Sequence, residues 1–342
     1  MKFGWLSPVI GNQWSDHKPI VMFQERNILP TALEHFDSLW IADHFYGFDA
    51  KTDPFMEAWT TLTWMAAKFP DVMLCHHVLG HGYRPPALTA KMAATLQVLS
   101  GNRFILGIGA GWREDEYAAY GYDFPKPSVR FTELDELLQI CKLMWTEDEP
   151  SFTGTHFSID GASAPPLPEV VPPICIGASG EQIGLPLAGR HADIWNGFAR
   201  GTEDDWRRKV DIVHTAASDA GRNPAAIEIC QTVENALPET DAEAQELLEK
   251  LARKAELGVT YFVMDFGNPL PPTMSYDLSS RFKCHSELAD SHHEELSGQG
   301  CSDHRRRVRD WSSPGRRTRP SGRTLGAQRY RGSRSGRDCQ LV

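Results

Sequence analysis

Apolar and polar positions form alternating blocks along the first 268 residues of the chain. Eight short runs are apolar at almost every position, which is typical of parallel strands buried on both faces. The segments between them carry apolar residues three or four positions apart, which predicts amphipathic helices. The predicted strands are 2–6, 38–42, 72–78, 103–108, 173–176, 193–195, 227–231 and 259–264.

Helix start signals fall between these strands. Asp53 followed by Pro54 predicts a helix that begins there and continues to about residue 68. Periodic apolar positions predict helices over 85–99 and 129–145, and 152–159 is typical of a hairpin. Capping boxes are expected where Thr precedes an acidic residue by three positions, at Thr202 with Asp205 and at Thr240 with Glu243.

This order of elements predicts an α/β fold and favours the closed (β/α)8 TIM barrel rather than a six-stranded doubly wound sheet. The eighth helix should follow Asn268, but the periodic apolar pattern ends there. We therefore expect that helix to be degraded or missing. The chain divides into a barrel domain, 1–268, and a tail, 269–342.

The tail differs from the barrel in charge. The chain as a whole carries −10, yet residues 301–342 hold twelve arginines against three aspartates. Their Arg/Ser/Gly/Pro bias, with no aromatic residue within the arginine-rich stretches 305–309 and 313–323, is what an out-of-frame reading of a GC-rich gene tends to give. We interpret the tail as frameshifted or foreign, and as disordered. The alternative is an evolved basic arm that binds nucleic acid, which we do not favour.

Composition also indicates the cellular setting. The seven cysteines are scattered and never form a C-x-x-C pair, so we expect a reduced cytoplasmic protein without disulfides or a zinc site. No apolar run reaches the length of about 18 residues that spans a membrane. We expect no membrane partner.

The most informative strand end carries glycines at 107, 109 and 111, followed by Trp112. Without Cβ atoms, this end could admit a flat ring or a phosphate close to the backbone. It is not a nucleotide-binding G-x-G-x-x-G loop, because Trp112 stands where the last glycine would be. The indole could form the wall of a pocket for a flat ligand; the alternative is a core tryptophan.

Two other strand ends carry titratable groups. Asp43 and His44 follow the second strand, where a histidine beside a carboxylate could transfer protons; equally, Asp43 could cap a turn and His44 be structural. His76, His77 and His81 suggest a metal site, but adjacent strand residues face opposite sides. No carboxylate or cysteine completes a ligand set, so we expect no metal.

The fifth strand leads into Gly177, Ala178, Ser179 and Gly180. Ser179 could cap the next helix, with Gln182 completing a capping box. Free backbone amides at such a helix start suit a phosphate.

Taken together, these strand ends resemble the luciferase-like monooxygenase family of flavin- or deazaflavin-dependent barrel oxidoreductases. Gly-Ala-Gly-Trp at 109–112 and Glu-Tyr-x-Ala-Tyr-Gly at 116–121 are most similar to the subgroup that depends on coenzyme F-420, an 8-hydroxy-5-deazaflavin. The stretches that carry the resemblance are 38–45, 57–62, 83–96, 99–104, 106–112, 116–121, 176–180 and 192–196.

The resemblance implies roles for these residues. His44 would be the active-site histidine, with Asp43 adjusting its protonation, and Glu114 or Glu116 would be the nearest match to a glutamate proton donor. A non-prolyl cis peptide would join His77 and Val78 and support the deazaflavin ring. The remaining cofactor-binding residues would be Gly109, Ala110, Gly111 and Trp112 along the pocket, Gly177, Ala178, Ser179 and Gly180 at the phosphate, and Trp195 and Asn196 closing that side.

The expected function is hydride transfer between coenzyme F-420 and a small organic substrate. The alternatives are an FMN-dependent monooxygenase and a non-catalytic flavin-binding protein. The resemblance also implies a homodimer.

Overall fold

The computed structural model describes residues 1–7, 20–48, 51–198 and 200–267. The strands are β1 (Lys2–Leu6), β2 (Ser38–Ile41), β3 (Met73–His76), β4 (Leu79–Gly80), β5 (Phe104–Gly109), β6 (Phe152–Thr153), β7 (Ser158–Ile159), β8 (Ile174–Gly177), β9 (Ile194–Phe198), β10 (Glu228–Glu234) and β11 (Tyr261–Asp265). The helices are α1 (Ile20–Asn27), α2 (Leu29–Ala32), α3 (Ala58–Lys68), α4 (Pro86–Leu99), α5 (Glu114–Ala119), α6 (Pro127–Thr146), α7 (Gly184–His191), α8 (Glu203–Asp219) and α9 (Asp241–Glu256).

Eight parallel strands form a closed barrel. Their order is β3-β2-β1-β11-β10-β9-β8-β5, and β3 pairs again with β5 to close the ring. The short strand β4 pairs in parallel with the carboxyl end of β5, and β6 with β7 forms the predicted antiparallel hairpin outside the barrel. The predicted (β/α)8 fold is confirmed. Its expected missing eighth helix and its tail lie outside the described residues.

The barrel interior is filled by side chains, as in other barrels of this size. One cluster of buried residues contains an inward-facing side chain from each of seven strands: Trp40, Cys75, Ile105, Cys175, Ile194, Cys230, and both Tyr261 and Val263 from β11. On β1 the facing position is Gly4, where an added Cβ would lie 2.3 Å from the indole nitrogen of Trp40. Glycine is therefore required there. A larger apolar cluster packs the helices against the outside of the barrel.

Some predicted boundaries are wrong. Helix α3 begins at Ala58, because the Glu57 carboxylate caps it by accepting from the Trp59 and Thr60 amides. The carbonyl of Asp53 instead accepts from the Gly47 amide, which keeps that residue in the preceding loop. The capping boxes at residues 202–205 and 240–243 are confirmed.

The helix after β8 also starts later than predicted. It begins at Gly184, and its N-cap, Ile183, makes no side-chain capping bond, so the expected capping box of Ser179 and Gln182 is wrong. In the described ranges we find no helix whose length and apolar character would let it cross a membrane.

The buried imidazole of His76 makes the fold sensitive to acid. Its ring centroid lies 5.0 Å from that of Trp59 and 5.6 Å from that of Phe104. Burial, together with the nearby Arg84 guanidinium, lowers the pKa of His76 to about 3. The unfolded chain therefore binds this proton more readily, and stability should fall as the pH decreases from about 6.5 towards 3.

We predict that His76→Phe reduces this loss of stability by up to about 1.4 kcal/mol per pH unit, because the variant has no imidazole to protonate. Urea unfolding at several pH values between about 7 and 5 measures the slope of the free energy of unfolding against pH. His156→Phe, which removes an exposed histidine, is the matched control. Equal slopes for wild type and His76→Phe would contradict the assignment.

Candidate active site

His44 lies just beyond the carboxyl end of β2, and its ring is held by a buried carboxylate. Nδ1 of His44 lies 2.8 Å from Oε2 of Glu116, whose side chain is fully buried. Oε2 also accepts from the Tyr83 hydroxyl at 2.8 Å, and the Phe45 amide donates to Oε1. Glu116 therefore holds both the imidazole and the backbone that follows it.

These bonds determine which nitrogen of His44 carries hydrogen. Burial alone would raise the pKa of Glu116, but the bonds from His44 and Phe45 outweigh burial and lower the pKa. An ionised carboxylate only accepts, so the neutral imidazole must donate from Nδ1. Its lone pair is then on Nε2, to which no described residue makes a hydrogen bond. Nε2 is thus available to accept a proton.

Asp43 has different partners from those expected. Its carboxylate accepts hydrogen bonds from both terminal nitrogens of Arg84, at 3.0 and 3.1 Å, and from the Gly80 amide at 3.0 Å. Arg84 also contacts Glu57. The described hydrogen bonds join Asp43 to these donors and none joins it to His44, so the influence of Asp43 on the protonation of His44 stays a prediction. Asp43 anchors the loop that carries His44.

A third residue holds the same loop. Arg113 donates to the carbonyls of Tyr46 and Gly47, both at 2.8 Å, and its guanidinium stacks on the Tyr46 ring at 4.4 Å from the centroid. Sequence reasoning missed Arg84 and Arg113. Arg84 lies within the stretch 83–96 that carries the family resemblance, and Arg113 directly follows the stretch 106–112, but neither was assigned a role. Because three side chains hold one short loop, the position of His44 is set before any ligand binds.

The glycine-rich strand ends make room for the chain itself. The predicted cis peptide between His77 and Val78 is confirmed. A Cβ added at Gly109 would lie 3.0 Å from the Val78 side chain, and one at Gly177 would lie 2.8 Å from it. At Gly107 an added Cβ would lie 1.9 Å from the His76 carbonyl oxygen. On the side where a Cβ would project, the 76–78 segment fills the space at these three positions, so the missing Cβ atoms serve chain packing there; the expected cofactor contacts of Gly109 and Gly177 stay predictions.

The two residues between Gly109 and Trp112 also face the protein. Ala110 is buried, and its carbonyl accepts from Arg130 at 3.1 Å. Gly111 has a φ of +71°, and an added Cβ there would lie 2.4 Å from the Tyr117 hydroxyl. Ala110 and Gly111 therefore pack against the protein beneath the Trp112 indole and leave no open space there.

His77 belongs to a polar chain that lies across the barrel mouth. Its Nε2 lies 2.8 Å from the Thr232 hydroxyl, which accepts from Nδ2 of Asn196 at 3.1 Å. Burial, with His44 nearby, lowers the pKa of His77 to about 4, so the ring is neutral at pH 7. Thr232, at the carboxyl half of β10, was not predicted, because a single threonine in an apolar strand carries no distinctive signal.

The two tryptophans have different environments. Trp112 is 67% exposed, and its ring centroid lies 5.5 Å from that of His44, so it is not a core residue. Trp195 is fully buried; it donates to the Ala178 carbonyl and stacks on Trp206 outside the barrel. The prediction that Trp195 closes the pocket is wrong, because its side chain faces α8. Asn196 faces the interior.

The turn after β8 is open. Ser179 and Gly180 are exposed, and their backbone amides make no hydrogen bond within the described part of the chain. A Cβ added at Gly180 would meet nothing within 4 Å. The turn thus offers unpaired donors beside free space.

The three histidines near β3 do not converge. His76 packs outside the barrel, His77 contacts Thr232, and His81 lies 3.1 Å from Glu133. In the ranges given above, no three His, Cys, Asp or Glu side chains are grouped to bind a metal ion.

Comparison with known proteins identifies the family. A family model described as luciferase-like monooxygenase matches residues 1–314. The chain belongs to this family.

Two relatives show its range. A phthiodiolone/phenolphthiodiolone dimycocerosates ketoreductase of Mycobacterium tuberculosis is 34% identical over 213 residues, covering 56% of this chain and 55% of the relative. An F-420-dependent glucose-6-phosphate dehydrogenase of Kineococcus radiotolerans is 36% identical over 158 residues, 46% of each chain. The chain thus spans about half the length of these relatives.

Solved structures share the fold at low identity. An F-420-dependent secondary alcohol dehydrogenase, solved with an F-420–acetone adduct, has a TM-score of 0.70 at 18% identity and covers 84% of this chain and 97% of its own. The F-420-dependent tetrahydromethanopterin reductase of Methanopyrus kandleri has a TM-score of 0.64 at 17% identity, covering 85% and 99%.

We predict that the neutral imidazole of His44 carries its hydrogen on Nδ1, because the Glu116 carboxylate beside it can only accept. Nitrogen NMR of the imidazoles in the full chain measures this, with His44→Gln assigning the signal and the exposed His156 as an unrestrained reference. A neutral His44 that carries hydrogen on Nε2 would contradict the proposed geometry.

Proposed function

We propose that this chain is an oxidoreductase that transfers hydride between coenzyme F-420 and an organic substrate, with His44 moving the accompanying proton. The observation that carries the proposal is the free Nε2 of His44, held by Glu116 at the carboxyl end of the barrel. Active sites of this fold are built there. The F-420-dependent relatives support the choice of cofactor.

The residues present fit a deazaflavin with a phosphate-bearing tail. The unpaired amides of Ser179 and Gly180 could donate to a phosphate, and the space beside Gly180 is free. His77 and Val78 would support the ring from below, with Gly109 to Trp112 along one side and Asn196 on another. When bound, this group accepts or donates hydride at its reactive ring carbon.

The chain itself manages the proton. With an alcohol substrate, Nε2 of His44 accepts the hydroxyl proton as hydride leaves the adjacent carbon; with a ketone it returns the proton. The imidazolium that forms is stabilised by the ionised Glu116, 2.8 Å from Nδ1. Arg84, through Asp43, and Arg113 keep the loop fixed while the charge on His44 changes.

The FMN-dependent monooxygenase and the non-catalytic binder remain the alternatives. An oxygenase would consume oxygen when supplied with reduced FMN. A non-catalytic binder would retain its cofactor and show no turnover. The homodimer and the cytoplasmic location stay predictions from the resemblance and the composition.

The test is reduction of F-420 by 2-propanol and 1-phenylethanol, followed by the visible absorbance of the cofactor. We predict that His44→Gln lowers kcat by about 100-fold or more, because the proton acceptor is lost. Cofactor affinity should not change, and His156→Gln should behave as wild type. Equal kcat for wild type and His44→Gln would refute the role of His44, and oxygen uptake with reduced FMN would favour the oxygenase.

A further inference from the structure

Three aromatic rings surround the imidazole of His44 and form what we call the aromatic wall: Phe48, Phe55 and Trp112. Their ring centroids lie 5.1, 5.6 and 5.5 Å from that of His44, at interplanar angles between 73° and 77°. Each ring is therefore roughly perpendicular to the imidazole. A molecule whose hydroxyl or carbonyl oxygen reaches Nε2 of His44 must lie against this wall.

The wall is unusually exposed for its size. Phe48 is 53% exposed and Trp112 is 67% exposed, and the two rings are stacked with centroids 6.2 Å apart at 23°. The guanidinium of Arg113 lies over the Phe48 ring, 5.2 Å from its centroid, a cation–π contact that favours this position of the ring. Exposed, ordered aromatic faces beside a catalytic group are suited to packing against an apolar ligand.

The charges behind the wall disfavour an anion. Both nearby arginines are engaged, Arg84 with Asp43 and Glu57, and Arg113 with two carbonyls and Asp115. Lys51 lies over the Tyr46 ring, 5.3 Å from its centroid. These three cations stand against four carboxylates: Asp43, Glu57, Asp115 and Glu116.

Two of these carboxylates, Glu57 and Asp115, have lowered pKa values and are therefore ionised at neutral pH. Hydrogen bonds from the 59–60 backbone and from Arg84 outweigh burial and lower the pKa of Glu57 to about 2. The hydrogen bond from Tyr46 lowers the pKa of Asp115. The surroundings of the wall are therefore net negative, and a phosphate or carboxylate on the substrate would be repelled rather than paired.

From these observations we infer that the aromatic wall binds the apolar flank of an uncharged secondary alcohol or ketone, and that sugar phosphates are excluded. The inference rests on the proposed function, because it names the substrate class of the same site. The oxygen of such a substrate would meet Nε2 of His44, and the group beside the reacting carbon would lie on Phe48 and Trp112. A planar group would gain most, since it can stack on the parallel pair.

The inference is tested by binding, without turnover. Ligand-observed NMR measures the affinity of acetophenone and of glucose 6-phosphate for the full chain, with and without F-420. We expect acetophenone to bind at least about tenfold more tightly than glucose 6-phosphate, and Phe48→Ala or Trp112→Ala to weaken acetophenone binding by about tenfold or more. Leu99→Ala, which truncates a side chain 72% exposed on α4, is the matched control and should bind as wild type.

Each outcome decides between the claims. Unchanged acetophenone binding in both Phe48→Ala and Trp112→Ala, no binding to wild type, or tighter binding of glucose 6-phosphate would overturn the inference. Thermal unfolding of each variant confirms that it is folded. A parallel fluorescence titration with F-420 separates the proposed function from the substrate class. Failure of wild type to bind F-420 refutes the proposed function. If wild type binds F-420 but the Phe48 and Trp112 substitutions leave acetophenone binding unchanged, only the substrate class is refuted.

Discussion

The hydrogen bond between the Glu116 carboxylate and Nδ1 of His44 is the interaction on which the site depends. A fully buried carboxylate is stable only when donors surround it, and here the donors are an imidazole, a tyrosine hydroxyl and backbone amides of the His44 loop. The same bonds that keep Glu116 charged therefore orient His44 and determine its tautomer. Loss of the carboxylate would leave those buried donors unpaired, at about 1–3 kcal/mol each.

This constraint connects elements that are distant in sequence. Glu116 is on α5 after β5, His44 follows β2, and Tyr83 follows β4. Parallel strands bring their carboxyl ends to one rim of the barrel, so three separate loops can meet at one carboxylate. On the neighbouring part of the rim, glycines at 109 and 177 let Val78 pack between β5 and β8. The barrel mouth thus combines the fixed pair of His44 and Glu116 with the close packing of Val78 against Gly109 and Gly177.

The fold could be predicted from sequence because the same pattern, a short apolar strand followed by an amphipathic helix, recurs along the chain and yields eight apolar strands. The site could be predicted only in part. The position of His44 at a strand end beside Asp43 made it a candidate, with a structural role as the alternative, and the family resemblance favoured the active-site role; the cis peptide at His77 came from the resemblance alone. The structure places both at the mouth. The partners of Asp43 and His44 could not be predicted, because the pairs 43–84 and 44–116 depend on how loops from different strands meet. Trp195 was assigned to the wrong face: adjacent strand residues point to opposite sides, so Trp195 and Asn196 cannot both face the barrel interior.

The same limit explains the glycines. From sequence, a missing Cβ at 107, 109 or 177 looks the same whether a ligand or another strand needs the space. Among the strand-end glycines 107, 109, 111, 177 and 180, Gly180 alone has nothing within 4 Å of an added Cβ. This residue gives the sharpest test of the cofactor site, because a substitution there should leave the fold intact.

The most direct measurement is therefore a fluorescence titration of the full chain and of Gly180→Asp with F-420 and with FMN. Ala226→Asp, which adds the same charge at an exposed position before β10, is the control. We expect wild type to bind F-420 more tightly than FMN. We also expect Gly180→Asp to weaken F-420 binding by about tenfold or more through charge repulsion, with an unchanged Tm. Tighter binding of FMN, or an unchanged F-420 affinity in Gly180→Asp, would contradict these expectations.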